Sequence, residues 1–383
     1  MSQEKVDQIL KMVKEYIDEK HAGKTWTKGE DWVNYSGPHY SSDEYTSAIE
    51  ILLSEWLIFG KKARHFENEF PQHLGKKFGV LTNSGSSANL LMANVFKSKS
   101  QAMKKFHMPP GSKFITPVVC FPTTINPLIQ AGYEPVFVDV DLPSMNLNLD
   151  EVEAELKKDP NIRAITFAHV LGNPPDMDRL MALVKEYNLN FLEDSCDALG
   201  SFYDGKRLGS YGLISTCSFF PAHHMTMGEG GFAATSDRRI RKVLASIRDW
   251  GRACYCNERK PGDVTAGTAC GDRFQEWLSD GKNKICYDHR YVFDEIGFNT
   301  KPLDLQAAMG LHQLDKLPEM DEARRKNFKR MEKAFTKYED FFMLPKATEK
   351  ADPCWFGYAL TVKDNDVFEK QELVSHFEDN KVQ

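Results

Sequence analysis

The stretch Ser218 to Gly231, S-F-F-P-A-H-H-M-T-M-G-E-G-G, sets two adjacent histidines between a pair of phenylalanines and a glycine-rich run. An imidazole exchanges a proton near neutral pH, so His223 or His224 is a candidate acid/base. A histidine is more often a satisfied structural residue than a catalyst, and the two neighbours compete for one role. Other stretches could act with them. N-S-G-S-S-A-N-L, Asn83 to Leu90, follows an apolar run and opens a helical one. Small residues there let N–H and hydroxyl groups converge on a phosphate at a helix N-terminus, although a plain strand-to-helix turn reads the same way. L-E-D-S-C-D-A-L-G, Leu192 to Gly200, ends an apolar run with Glu193, Asp194 and Asp197. In open α/β sheets ligands bind at the carboxyl ends of strands, which makes solvated loop acids the poorer reading. Cys254, Cys256 and Cys270 crowd one irregular stretch, where thiolates could hold a metal or simply be free.

The elements that must position these residues are legible as an alternation. Apolar runs of strand length at Phe78–Thr82, Lys113–Pro117, Pro135–Asp139, Ala164–Ala168, Leu189–Glu193 and Leu213–Phe219 alternate with helical patterns such as Ser86–Phe96 and Met177–Tyr187. That pattern predicts an α/β fold, a mostly parallel sheet with helices on both faces. Residues 251–297 read as an irregular loop, and a long helical pattern runs from Leu303 to Lys337. The expected division is an N-terminal helical arm over 1–45, a large domain over 46–300 with the cysteine loop at 251–290, and a long helix opening a smaller α+β domain over 301–383.

Composition narrows the class. The 383 residues are 41% hydrophobic and 27% charged, with 49 basic and 55 acidic side chains for a net charge of -6. This suits a globular enzyme and gives no electrostatic case for nucleic acid or an anionic membrane. Met1 to Lys20 spaces Val6, Ile9, Leu10, Val13 and Ile17 at helical intervals and lacks the apolar core of a signal peptide. No run approaches the length that spans a bilayer. The expected compartment is cytoplasmic, where the eight cysteines are core residues or ligands and not disulfides. Cys120, Cys217 and Cys354 read as core.

Several segments together resemble the sugar aminotransferase branch of the pyridoxal phosphate (PLP) enzymes of fold type I. They are H-V-L-G-N-P at 169–174, the stretch 218–231, R-D-W-G-R-A-C-Y-C at 248–256 and I-G-F-N-T-K-P-L-D-L-Q-A-A-M-G at 296–310. Within the branch they are similar to the CDP-4-keto-6-deoxy-D-glucose 3-dehydrase group, from about residue 45 onward. The resemblance implies an aspartate aminotransferase-like large domain and a small C-terminal domain that relatives extend further. The branch holds PLP on a lysine, and counting from Ser218 and from G-E-G-G selects His223 at that position. An imidazole has no primary amine to condense with an aldehyde. The implied cofactor is therefore the amine form, pyridoxamine 5'-phosphate (PMP), with His223 as catalytic acid/base and His224 as packing. By the same resemblance Gly85, Ser86, Ser87 and Ser218 hold the cofactor phosphate. Phe121 of V-V-C-F-P-T-T-I-N-P stacks on the pyridine ring, and Asp194 faces its nitrogen. Asp197 stands where aminotransferases carry glutamine beside the 3-hydroxyl. Asn299 reaches the cofactor phosphate of a neighbouring subunit, which implies a homodimer. Phe220 stands where relatives often have tyrosine or histidine.

In that group PMP condenses with the 4-keto carbon of a nucleotide-linked 4-keto-6-deoxyhexose, the histidine removes a proton, and the 3-hydroxyl leaves. A 2Fe-2S cluster relays electrons from a separate NADH-dependent iron–sulfur flavoprotein reductase, and the product is a 3,6-dideoxy sugar of the lipopolysaccharide O-antigen type. The implied ligands are Cys196, Cys254, Cys256 and Cys270. The gaps of 57 residues and one residue between the first three match relatives, whereas the 13 before Cys270 read as a loop insertion. Four thiolates suit 2Fe-2S and could equally bind zinc. Two alternatives stay open: a cluster-free PMP dehydratase that regenerates its amine from glutamate, and a non-catalytic binding protein of the same fold. The cysteine set argues against the first, and the retained Asp194 and phosphate motif against the second.

Overall fold

A computed structural model describes residues 3–253 and 273–383. Helix α1 (Gln3–Ala22) packs on α2 (Ser42–Leu53), whose N-terminus is closed by a capping box between Ser41 and Glu44. Helix α3 (Lys61–Glu69) then leads into the main sheet. Its strands are β1 (Phe78–Thr82), β2 (Lys113–Pro117), β3 (Glu134–Val138), β4 (Ile162–Ala168), β5 (Asn190–Asp194), β6 (Ile214–Ser218) and β7 (Gly231–Thr235). Between them lie α4 (Gly85–Asn94), α5 (Pro122–Gln130), α6 (Leu149–Lys158) and α7 (Met177–Glu186), and α8 (Arg238–Arg248) follows β7. The order is β1-β7-β6-β5-β4-β2-β3, parallel except that β7 runs against both neighbours. The expected alternation is present. Strand β7 was not among the expected strands, because G-F-A-A-T offers a single large apolar side chain directly after a glycine run.

A second difference lies in the stretch expected to be irregular. Phe274–Ser279 (β8) and Lys284–Asp288 (β9) pair as an antiparallel hairpin. Its turn is closed by Asp280, whose carboxylate accepts from the Lys282 and Asn283 N–H groups. The Asx turn and the short alternation are too local to outweigh the surrounding charge in a sequence reading. The long helix α9 (Asp304–Phe335) and a final helix α10 (Lys370–Asp379) complete the described chain. Residues 351–352 do not stay within the C-terminal region but pair with 202–203, in the loop after β5. Among the described residues no helix is long and apolar enough to cross a membrane.

Neighbouring strand residues feed opposite faces of the sheet, as the two-residue period requires. Phe114 joins a cluster with Val80, Leu91 and Ile247, whereas Ile115 joins Phe167, Leu180 and Phe191. A third cluster sets Phe66 and Phe70 against Phe219 and Phe232. Phe70 and Phe219 meet edge to face with centroids 4.9 Å apart. Phe219 also roots the loop that follows β6, since its N–H donates to Gly230 O at 2.9 Å and its carbonyl accepts from the Met227 N–H at 3.0 Å. Replacing it should therefore loosen that loop as well as open a cavity. Phe219→Ala is expected to cost about 3–5 kcal/mol in urea unfolding, the range for buried phenylalanines. A cost below about 1 kcal/mol would contradict this packing role.

Candidate active site

Two adjacent acids at the end of β5 face opposite ways. Glu193 is fully buried on one face, where Oε1 accepts from His169 Nε2 at 2.9 Å and the Gly209 N–H at 2.6 Å, and Oε2 from the Gly212 N–H at 2.7 Å. It stitches the turn before β6 to the sheet. Asp194 points to the other face. Its Oδ2 accepts from Asn89 Nδ2 at 2.9 Å and Thr124 Oγ1 at 2.8 Å, and its Oδ1 from the Cys196 N–H at 3.1 Å. Thr216 donates to Asn89 Oδ1 at 2.6 Å, which turns the Asn89 amide so that its nitrogen meets Asp194.

Beside this carboxylate the chain forms a cradle. Ser84 caps α4, with its Oγ accepting from the Ser87 N–H at 3.1 Å. The N–H groups of the first helical turn have no intrahelical partner and point out of the helix end. Two glycines are required by closeness. A Cβ on Gly85 would stand 2.5 Å from Ser218 Cβ, and one on Gly231 would stand 2.1 Å from Ser84 O. Gly85, Ser87 and Ser218 therefore crowd together at the ends of β1, β6 and α4, with Ser86 exposed at the rim. The Ser86 hydroxyl lies 3.1 Å from Thr123 Oγ1, two residues from Phe121 at the start of α5. Phe121 is 68% exposed.

His223 and His224 occupy different surroundings. His224 is buried, and its Nε2 donates to the Cys354 carbonyl at 2.7 Å. Burial pushes its imidazole well below the usual range. His223 is half-buried, with its ring centroid 5.3 Å from that of Phe356 and its Nδ1 3.6 Å from Asp197 Oδ1. That separation is too long for a hydrogen bond, and Nδ1 has no partner among the described residues. Burial pushes His223 down to about 4, against the pull of the Asp194 charge. Burial pushes Asp197 up to about 7, and the Asp194 charge adds to it. The imidazole is thus neutral at neutral pH and free to accept a proton. His223 also lines a cleft of about 340 Å³ whose lining includes Tyr35, His39, Glu319, Arg324 and Asn327.

Asn299 is exposed, and its neighbour Thr300 accepts from the Asn83 N–H at 2.9 Å, so its segment adjoins the chain's own cradle. Cys196 adjoins Asp194, and its thiol is pushed far above its usual range by burial and the neighbouring carboxylates. Cys254, Cys256 and Cys270 lie outside the described residues. Among the described residues no three His, Cys, Asp or Glu side chains are arranged to hold a metal ion. Cys217 and Cys354 are buried, Cys120 is half-buried and Cys286 is exposed.

Four contributors were missed by sequence reasoning: Asn89, Thr124, Thr216 and Phe356. The first three are buried polar residues next to or inside motifs, a signal that could have marked them. Phe356 arrives from far along the chain and left none.

Residues 38–383 match the DegT/DnrJ/EryC1/StrS aminotransferase family. The chain is 39% identical to the lipopolysaccharide biosynthesis protein RfbH of Salmonella typhimurium over 98% of its own length and 83% of the relative's. It is likewise 39% identical to the dTDP-4-dehydro-2,6-dideoxy-D-glucose 3-dehydratase of Saccharopolyspora spinosa, over 98% of this chain and 78% of that one. Among solved structures it is similar to the E. coli GDP-4-keto-6-deoxy-D-mannose-3-dehydratase with bound hydrated PLP, at a TM-score of 0.78 and 26% identity, covering 92% of this chain and 84% of that one. The fold is the aminotransferase-like PLP fold type I.

The division of labour between the two acids has a measurable consequence. Burial works against Glu193 ionisation, but His169, Lys76 and the Gly212 N–H outweigh it and hold the carboxyl at about 2, against 4.5 for the free side chain. Between those values the unfolded chain binds more protons, so stability falls on acidification from pH 4.5 toward 2. Glu193→Gln should remove this part of the acid slope and cost about 3–5 kcal/mol at pH 7. Urea unfolding across that window checks both, and an unchanged acid slope in E193Q would contradict the assignment.

Proposed function

The chain belongs to the DegT/DnrJ/EryC1/StrS aminotransferase family, and we propose that it removes the 3-hydroxyl of a nucleotide-linked 4-keto-6-deoxyhexose with PMP as cofactor. The observation that carries this reading is His223, an imidazole at the position that resembles the branch's lysine, in a site whose other parts are retained. The donor set suits PMP. Gly85, Ser86, Ser87 and Ser218 offer N–H and hydroxyl groups to a phosphate, Phe121 offers an open ring face, and Asp194 offers a fixed carboxylate to a protonated ring nitrogen. When bound, PMP supplies an amine that condenses with the 4-keto carbon and a ring that takes up electron density.

The chain's own residues would do the rest. His223, held neutral by burial, accepts a proton and returns it. Asp197, whose carboxyl burial pushes up to about 7, stands beside it as a second group able to carry that proton. Phe356, with its ring centroid 5.3 Å from that of His223, sets an apolar wall on one side of the imidazole. The neighbouring cleft, with hydroxyl, imidazole, amide and carboxylate groups, is a fitting place for sugar hydroxyls. By its resemblance to the family's segment, Asn299 would reach a partner's cofactor phosphate, which would make the working form a homodimer.

For the reductive half of the reaction we read Cys196, Cys254, Cys256 and Cys270 as ligands of a 2Fe-2S cluster fed by an NADH-dependent reductase. Support comes from the cysteine spacing and from the Cys196 N–H bonded to Asp194, which sets the first ligand next to the acid assigned to the cofactor ring. Protein reconstituted without oxygen with iron and sulfide should show iron–sulfur absorption, retained in Cys286→Ser and lost in Cys254→Ser. Given PMP, NADH with an iron–sulfur flavoprotein reductase, and CDP-, GDP- or dTDP-linked 4-keto-6-deoxyhexoses, it should form a product lacking the 3-hydroxyl, seen by mass spectrometry. Trace iron with glutamate-dependent turnover would replace the cluster by the glutamate route. No dehydrated product from any of the sugars would overturn the function.

A further inference from the structure

Arg324 of α9 spends its guanidinium on main-chain carbonyls. Nη1 donates to Trp355 O at 3.4 Å and Phe356 O at 3.1 Å, and Nη2 donates to His223 O at 3.2 Å. These three acceptors are uncharged, and holding a half-buried cation against them costs desolvation. A neutral donor could serve any one of them. What a guanidinium adds is a rigid planar fork that reaches two chain segments at once.

The second segment, 354–356, is a strap across the site. The Cys354 N–H donates to Ser201 Oγ at 2.8 Å, and the Cys354 carbonyl receives His224. The Phe356 N–H donates to Leu171 O at 3.0 Å, and Leu171 has a left-handed φ of 58°. Its base is fixed to α9 by Trp355 stacked on Phe328, with ring centroids 4.0 Å apart and planes 4° from parallel. The adjacent Arg325 ties Gly200 O at 2.7 Å and Asp352 at 3.1 Å, so the loop that carries Asp197 is fastened to the same turn of helix. His223 is faced by Asp194 from β5, Asp197 from the turn after it, Phe356 from the strap and Arg324 from α9.

We propose that Arg324 is a positioning residue: braced on the strap carbonyls, it fixes the main chain at 223 and so sets where the imidazole stands relative to Asp197 and Asp194. This rests on the reading of His223 as the acid/base of the site. The fork is the only described link that joins the His223 main chain to α9 and the strap together.

Placing an amine at position 223 reads out its location without turnover. H223K protein given PLP should develop the visible absorption of a PLP–lysine adduct. Adding R324M should slow its appearance at saturating PLP by about tenfold or more, the scale on which small misplacements act. Adding R324K, which keeps one arm of the fork, should slow it by about threefold. PMP affinity of the single R324M protein should stay within about twofold of wild type, because the cradle and Asp194 are untouched. If R324M and R324K both match the H223K parent, with near-ultraviolet circular dichroism unchanged, the positioning role is overturned. A more than tenfold loss of PMP affinity in R324M would overturn it too, by showing general damage. Absence of the absorption in the H223K parent itself would overturn the reading of position 223, a result distinct from the first two.

Discussion

A carboxylate buried at the end of β5 is the constraint on which the site depends. Asp194 is 2% exposed, and a polar group buried there without hydrogen bonds would be costly. Three donors meet it, and they come from α4, α5 and the turn after β5. A fourth group, Thr216 of β6, orients one of them. Four pieces of chain therefore have to meet correctly before the carboxylate is satisfied. Its field then reaches outward. Behind burial, it is the cause that raises the Asp197 carboxyl and pushes the Cys120 thiol to about 11.

The histidine loop shows the opposite balance. It is rooted by an aromatic cluster at Phe219 and closed over by residues 354–356, so His223 is buried enough to be pushed toward its neutral form. A lysine there would meet the same desolvation, which favours a neutral amine. The site's polarity thus suits either nucleophilic or proton-transfer use, and the side chain at 223 decides between them. His224, one residue on, spends its imidazole on a carbonyl of the strap and has a structural part.

Much of this was legible in the sequence because it is local. The strand runs Phe78–Thr82 and Lys113–Pro117 coincide with β1 and β2 residue for residue, and N-S-G-S-S-A-N-L sits at a helix start. Period-two alternation also separates Glu193 from Asp194 once the strand is known. What stayed hidden is non-local. Nothing near residue 356 or 324 announces that either will meet position 223, because that contact is made only when α9 and the strap fold back onto the sheet. Strand β7 and the 274–288 hairpin were masked by glycine and charge, whose average obscures short strands.

If His223 moves the proton at the cofactor carbon, hydrogen exchange at C4' of PMP in deuterated water reads it directly, followed by NMR with a nucleotide-linked 4-keto-6-deoxyhexose present and no reductant. Wild-type and His224→Asn proteins should incorporate one deuterium stereospecifically, and His223→Asn protein that still binds PMP should incorporate none. Exchange at the wild-type rate in the His223→Asn protein would contradict that role.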